Sequence, residues 1–266
     1  MDSYVFASLA LTAIAFTAIW LIHVPLQDAG LVDYYWGPGF AVIGWVGLGF
    51  GADLSTSKLV FLGAVTLWST RLAAQLIARH LKLDGEDGRY AAMRRAGGPG
   101  WWWHSLFKVF LLQAFILWAV ATPVHTVVAA PADSSFSIAG WIGLSIFATG
   151  FLIEAMADWQ MHRHRVAVGS GKATFAGGLW AYSRHPNYFG DILVWFGLAI
   201  AAYDLSGSLI AFLGPVLLAL VIRFVSLPLT EQHLTASRAD YAAYAAVTSA
   251  LVPLLRGGSP RADPAE

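Results

Sequence analysis

The sequence predicts an all-α fold, a polytopic integral membrane helical bundle of about seven transmembrane helices. Two observations carry this expectation. Of 266 residues, 58% are hydrophobic and only 12% charged, with a mean hydropathy of +0.62; a soluble domain carries roughly 25% charged residues. The apolar residues also gather into stretches near the ~20 residues that a helix needs to cross the hydrocarbon core.

The first span is placed at 4–24. It has no basic leader ahead of its apolar run, so it reads as a retained span and not as a cleaved signal. A short second span, 35–52, opens within Asp33-Tyr34-Tyr35-Trp36-Gly37, and a third covers 58–78 with Arg71 inside it. The polar loop from Arg79 to His104 precedes the fourth span, 105–129. It holds an acidic, Gly-rich turn, Asp84 to Gly88, which lacks calcium-loop ligand spacing and reads as a solvated turn. Arg89, Tyr90, Arg94 and Trp101-Trp102-Trp103 follow, either as an interfacial helix with an aromatic anchor or as a cap over a cofactor. The fifth span is 138–160, and the sixth and seventh, 188–205 and 208–229, are closely joined. Residues 257–266 read as a disordered tail, leaving 1–256 as one membrane-embedded domain with 150–256 as its cofactor-binding half.

Lys and Arg set the expected orientation. Arg79, Lys82, Arg89, Arg94 and Arg95 fall in one loop, Arg163, Arg165, Lys172 and Arg184 in another, and Arg238, Arg256 and Arg261 in the tail. All three segments share one side of a seven-span chain, which the positive-inside rule makes cytoplasmic. The opposite side offers little beyond Asp53, Lys58, Asp133 and Asp204. The N-terminus is therefore expected outside, and the C-terminus and the site in the cytoplasm, with a bacterial inner membrane as the location.

Sixteen basic residues balance 16 acidic ones, so nothing in the net charge attracts nucleic acid. With no cysteine, disulfides, thiolate catalysis and Cys-ligated metals are excluded, and no metal site is expected. Redox chemistry would need a bound cofactor.

Ionisable groups at bilayer depth are costly and normally face the interior of a bundle. Arg71, Glu154, Asp158, Asp191 and Arg223 are such groups. Glu154, Asp158, His162 and Arg165 recur at helical spacing and mark one face of the fifth helix, either as a pocket wall or as structural pairing between helices. His162 to Arg165 also suit interfacial snorkelling.

The densest polar stretch is Gly177 to Asp191. Gly177 and Gly178 permit close backbone approach, Pro186 suits a helix start, and the unpaired N–H groups there favour an anion beside Arg184 and His185. Asn187 and Asp191, one turn apart, are suited to a heterocycle or ribose, and Tyr182 and Tyr188 to stacking. The alternative is that Arg184 and His185 meet headgroups and Asn187 is a cap.

Gly-Leu-Trp-x-Tyr-Ser-Arg-His-Pro-Asn-Tyr-Phe-Gly-Asp, followed by an apolar helix, resembles the C-terminal region of the steroid 5α-reductase family, most closely an uncharacterised bacterial branch. The resemblance extends upstream to Glu154–Arg165 and downstream to Glu231-x-x-Leu234, Tyr241-x-x-Tyr244 and Leu251-Val252-Pro253, with weaker echoes at Arg89-Tyr90, Arg94 and Gln113. It implies a seven-helix reductase of lipid metabolism that uses NADPH to reduce the C=C bond of a lipophilic enone taken from the bilayer. Carried over singly, it implies cofactor contacts at Asp158, Arg165, Asn187, Glu231 and Tyr244, and at Asp191 where a Glu is usual. Arg184, His185 and Tyr188 join them from the cassette.

The steroid reductases proper grip the substrate ketone with a Gln-Glu pair on the second helix and a Tyr on the third. Here Asp33-Tyr34-Tyr35 stands at the former place and Trp68 at the latter. Hydride delivery to an enone builds negative charge on the carbonyl oxygen, so a donor must face it. Asp33, kept protonated by burial, Tyr34, Tyr35 and Arg71 are the candidates. Asp33 is equally suited to a helix cap, the tyrosines to an aromatic belt, and Arg71 to a structural ion pair. Two rival readings are a membrane methyltransferase using S-adenosylmethionine, which the Arg-His-Pro-x-Tyr motif also resembles, and a non-enzymatic transporter or scaffold.

Overall fold

A computed structural model describes residues 2–50, 54–81, 85–168 and 173–255. Asp53, Lys82, Asp84, Lys172, Arg256, Arg261 and the expected tail 257–266 lie outside them. Every regular element among the described residues is helical, as backbone N–H and C=O groups without water require. The chain divides into two compact units, Met1–Ile142 with Leu198–Gly214, and Gly143–Gly197 with Pro215–Glu266.

The first unit begins with α1 (Asp2–Leu26), a 3-10 turn (Ala29–Tyr35), α2 (Trp36–Gly49) and α3 (Thr56–His80). It continues with α4 (Gly88–Gly97), α5 (Trp101–Ser105), a π-helical turn (Leu106–Leu111), α6 (Leu112–Val120) and α7 (Thr122–Val128). Polar side chains start these elements: Asp28 accepts from the Gly30 N–H, Ser55 from Lys58 and Asp87 from Arg89. Pro123, in the first turn of α7, has no N–H for a continuous helix, and α6 ends at Val120. α2 and α3 approach closely where Gly37 meets the Ser69 carbonyl, and Phe40 packs edge-on to Trp68 at 5.6 Å. Lys58, only 1% exposed, donates from Nζ to the Ala130 carbonyl at 2.6 Å.

The second unit takes α8 (Ile138–Val168) from Gly143 onward and α9 (Pro186–Ser206) as far as Gly197, with a 3-10 turn (Gly178–Ala181) before α9. α10 (Leu213–Val221) from Pro215 onward, a π-helical turn (Ile222–Ser226), α11 (Leu227–Ser237) and α12 (Tyr241–Val247) follow. Glycines let α8 and α9 approach to backbone contact. A Cβ on Gly150 would sit 2.6 Å from the Gly190 carbonyl oxygen, and one on Gly190 would sit 2.7 Å from the Glu154 nitrogen. Gly143 and Gly197 repeat the contact seven residues along each helix, a spacing that returns to the same helical face.

Among the described residues, six helical stretches are long and apolar enough to cross a membrane: Ser3–Leu26, Thr56–His80, Gly88–Val120, Ile138–Val168, Pro186–Ser206 and Leu209–Ser237. The expected span 35–52 is the exception. Its helix, Trp36–Gly49, has 14 residues, about 21 Å at 1.5 Å per residue against a hydrocarbon core of about 30 Å. The stretches around the expected fourth, fifth and seventh spans are longer than composition suggests, because hydrogen-bonded helix continues past the apolar residues.

The glycine contact predicts a selective sensitivity. Gly150→Val should lower the thermal unfolding temperature in detergent, overpacking costing about 1–3 kcal/mol. Gly63→Ala in α3, where an added Cβ meets nothing within 4 Å, should leave stability unchanged or raise it by up to about 1 kcal/mol. Equal losses in both variants would contradict the packing described.

Candidate functional site

The second unit holds a polar cluster built on the α8–α9 contact. Glu154 and Asp158, one turn apart on α8, run alongside the first turns of α9; Glu154 is 4% exposed. Asn187 Nδ2 donates a long hydrogen bond of 3.4 Å to Asp158 Oδ1. Asp191, half-buried, lies one turn further along α9, and Arg165, two turns beyond Asp158, is exposed. The four residues carried over from α8 and α9 thus stand on the two helices that the glycines bring together.

The cassette before α9 is held by its own side chains. Gly178 has φ +56, and the Leu179 N–H behind it donates to Gln160 Oε1 at 2.9 Å; a Cβ at Gly178 would strike that amide at 2.5 Å. Trp180 Nε1 donates to the Ala157 carbonyl at 3.0 Å, and Tyr244 Oη donates to the Trp180 carbonyl at 2.6 Å. Ser183 Oγ donates to the Leu251 carbonyl and accepts from the His185 N–H. α9 then starts at Pro186, where the sequence places it.

Arg184 is the hub. Its Nε donates to Glu231 Oε1 at 2.6 Å, and its Nη1 donates to the carbonyls of Ala245 at 2.7 Å and Thr248 at 3.0 Å. His185 Nε2 lies 3.3 Å from the same Glu231 oxygen, and Tyr241 Oη donates to it at 3.4 Å. Burial lowers the His185 pKa against the pull of Glu231, so the imidazole is favoured neutral. Its ring stacks on Tyr188 at 5.3 Å and 7°. Arg184 and His185 of the cassette, with Glu231 and Tyr244, therefore form a clasp joining the start of α9 to α11 and α12.

A second cluster lies in the first unit. Asp33 Oδ1 accepts from Tyr90 Oη at 2.9 Å, and Oδ2 lies 3.4 Å from Arg89 Nη2 and 3.6 Å from Arg79 Nη2. The chain of donors continues inward: Gln113 Nε2 donates to Tyr90 Oη at 3.2 Å, and Trp36 Nε1 donates to Gln113 Oε1 at 2.5 Å. Burial raises the Asp33 carboxyl above its ordinary 3.8, with Arg89 and the Tyr90 hydrogen bond opposing. The cap of this turn is Asp28, not Asp33. Tyr34 meets His80 edge-on at 5.2 Å, and Tyr35 meets Phe16 at 5.5 Å. Arg71 lies half-buried on α3. Tyr90, which bonds Asp33, and Gln113, which bonds Tyr90, are residues that the sequence left as faint echoes; the available signal was a lone Gln inside an apolar span.

The acidic turn departs from the solvated reading. Glu86, whose side chain is only 4% exposed, accepts from the Ala29 N–H at 3.0 Å and from Arg94 Nε at 2.9 Å. It ties the entry of α4 to the 3-10 turn of Asp33.

Comparison with known proteins adds a lineage. The family model described as "Protein of unknown function (DUF1295)" matches residues 19–248. The chain is similar to the uncharacterized protein C594.04c of Schizosaccharomyces pombe, 25% identical over 236 residues, 77% of this chain and 68% of that protein. It is similar also to human 3-oxo-5-alpha-steroid 4-dehydrogenase 1, 35% identical over 71 residues, 27% of each chain. Steroid 5-alpha-reductase DET2 of Solanum lycopersicum is 35% identical over 75 residues, 28% of this chain and 29% of that protein. The steroid enzymes match in the C-terminal region, over less than a third of their own length. No solved structure matches the chain.

Two measurements check this geometry. Arg184→Ala should destabilise the ligand-free protein by about 3 kcal/mol, because it strands Glu231 and two carbonyls; unchanged stability would show that Arg184 is no clasp. Asp33 gives a pH signature. A carboxyl whose folded pKa lies above 3.8 contributes its full stability below that pH and loses it as pH rises through the folded value. The stability of the wild type relative to Asp33→Asn should therefore fall as pH rises above about 4. A difference that rises with pH would reverse the assignment.

Proposed function

The chain belongs to the DUF1295 family, and from that lineage and its two polar clusters we propose an NADPH-dependent membrane reductase. It reduces the C=C bond of a lipophilic enone drawn from the bilayer. The observation that carries the reading is Asn187 set against Asp158 on the glycine-packed α8 and α9, in the part of the chain that is similar to the steroid reductases.

The donor set suits a dinucleotide. The Asn187 amide can both donate and accept, and Asp158 and Asp191 offer acceptors for ribose hydroxyls or a carboxamide. Arg165 is exposed and offers positive charge for phosphate. Arg184, by contrast, serves Glu231 and two carbonyls, so its contribution is to build the site. Bound NADPH would supply the hydride that adds to the β-carbon of the enone.

The chain's own residues must then meet the charge and the proton. Negative charge develops on the carbonyl oxygen as the hydride arrives, and a hydrogen-bond donor there lowers the barrier. Asp33, held toward its protonated form by burial, is such a donor, and Tyr90, already hydrogen-bonded to it, is the second. A proton must finally reach the α-carbon, and the exposed Arg79 and Arg89 side of Asp33 connects this pair to solvent. We place the basic segments and the opening of the cofactor site on the cytoplasmic side of a bacterial inner membrane.

Purified protein titrated with NADPH and with S-adenosylmethionine tests the proposal, with thermal protection as the readout. NADPH should protect the wild type, and Asn187→Ala and Asp158→Ala should each weaken its binding roughly tenfold or more, the loss of a charge-assisted hydrogen bond being about 1.5–3 kcal/mol. Protection by the methyl donor alone, or normal NADPH binding in both variants, overturns it.

A further inference from the structure

Gln113 interrupts an otherwise apolar run from Val109 to Val120, a place where an amide is costly unless both of its ends are bonded. Both are. Trp36 Nε1 donates to Gln113 Oε1 at 2.5 Å, and Gln113 Nε2 donates to Tyr90 Oη at 3.2 Å. Tyr90, 6% exposed, donates in turn to Asp33 Oδ1 at 2.9 Å. One chain of hydrogen bonds thus runs from the start of α2, through α6 and α4, to the 3-10 turn that carries Asp33. The π-helical turn Leu106–Leu111 ends just before Gln113. Such a turn re-aims the residues after it relative to an unbroken α-helix, and it is frequent at functional sites.

The chain has a single direction, and Trp36 sets it. An indole N–H only donates, so the atom of Gln113 that faces it is the amide oxygen and the atom that faces Tyr90 is the amide nitrogen. The nitrogen only donates as well, so Tyr90 Oη accepts from Gln113 and commits its one proton to Asp33. Asp33 Oδ1 is therefore an acceptor. A proton held by the carboxyl belongs to Oδ2, the oxygen that faces Arg89 and Arg79.

We propose that Gln113 and Trp36 are positioning residues of the reductase site: they hold Tyr90 as the donor of its pair with Asp33 and strengthen its O–H for the substrate carbonyl. The inference rests on the reading of Asp33 and Tyr90 as the groups that meet that carbonyl. A hydroxyl that accepts a hydrogen bond donates a stronger one, each bond in a chain gaining about 10–30% from its neighbours. When the Tyr90 proton turns from Asp33 to a carbonyl oxygen, the Gln113 bond persists, because it uses a lone pair of the same oxygen and not its proton. Gln113 and Trp36 act through Tyr90 and need not touch the reacting atoms.

The ligand-free full chain, labelled with ¹⁵N-tryptophan in detergent micelles, tests the chain directly. Trp36→Phe identifies the Trp36 indole resonance by its loss. Ionisation of Asp33 pulls on each bond in turn, so the Trp36 indole proton should shift as pH rises through the Asp33 titration. The other ionisable groups acting on Asp33 are Arg79 on α3 and Asp87, Arg89 and Tyr90 at the start of α4; the shift should vanish in Asp33→Asn, which keeps all of them. Tyr90→Phe and Gln113→Met each break one link with Asp33 in place, and both should flatten it. Turnover supplies the second readout, with NADPH and 4-dodecylcyclohex-2-enone as the probe. Gln113→Glu keeps the shape and the Trp36 bond, but its second oxygen accepts and draws the Tyr90 proton away from Asp33. Gln113→Glu and Gln113→Met should both lower kcat about tenfold and leave NADPH protection unchanged. A resonance that ignores Asp33, a resonance that follows it equally in Gln113→Met, or a wild-type kcat in Gln113→Glu overturns the inference. A wild type that shows the resonance shift but neither NADPH protection nor turnover overturns the reductase reading, and with it the role assigned to the chain.

Discussion

A polar group taken out of water must find its partner inside the protein or carry the cost of desolvation. That requirement arranges this chain. It makes every described element helical, sends buried Lys58 to the Ala130 carbonyl, and gathers Arg184, His185 and Tyr241 around the single oxygen Glu231 Oε1. It also gives Asp33 a ring of donors while burial still raises its pKa.

The two polar clusters solve the problem in different ways. In the clasp, charge is answered within the protein, so the residues fix geometry: Arg184 bonds the carbonyls of Ala245 and Thr248 at the end of α12 and reaches α11 through Glu231. That rigid frame sets the first turn of α9, and with it the direction of Asn187. The glycines of α8 and α9 complete the frame, because only backbones without Cβ atoms between them bring Asp158 within reach of Asn187. Around Asp33 the answer is partial. Burial raises the carboxyl while the Tyr90 hydroxyl and two arginines oppose the shift, a perturbed group of the kind that gathers at functional sites.

The sequence already disclosed the helical class, the start of α9 at Pro186, and the placement of Glu154, Asp158, His162 and Arg165 on one helix, because hydropathy and the 3.6-residue period are local properties. It was less informative at charged positions. Arg184 and Glu231 both read as ligand contacts, since an isolated Arg or Glu gives no sign of a partner 47 residues away. Glu86 read as part of a solvated turn for the same reason, its partner being the backbone of Ala29. Tyr90 and Gln113 were passed over beside Asp33 because the three are joined only by folding.

Composition and spacing by themselves determined that this protein is a bundle of apolar helices with a concentrated polar cassette, because burial of nonpolar surface and satisfaction of the backbone depend on residue type and periodicity. Only the tertiary structure decided the division of the polar residues between the clasp around Glu231 and the cluster around Asp33. That division depends on long-range pairing, where hydrogen bonds act over about 3 Å between residues far apart in sequence. The close approach of Gly150 to Gly190, and of Arg184 to Glu231, made it.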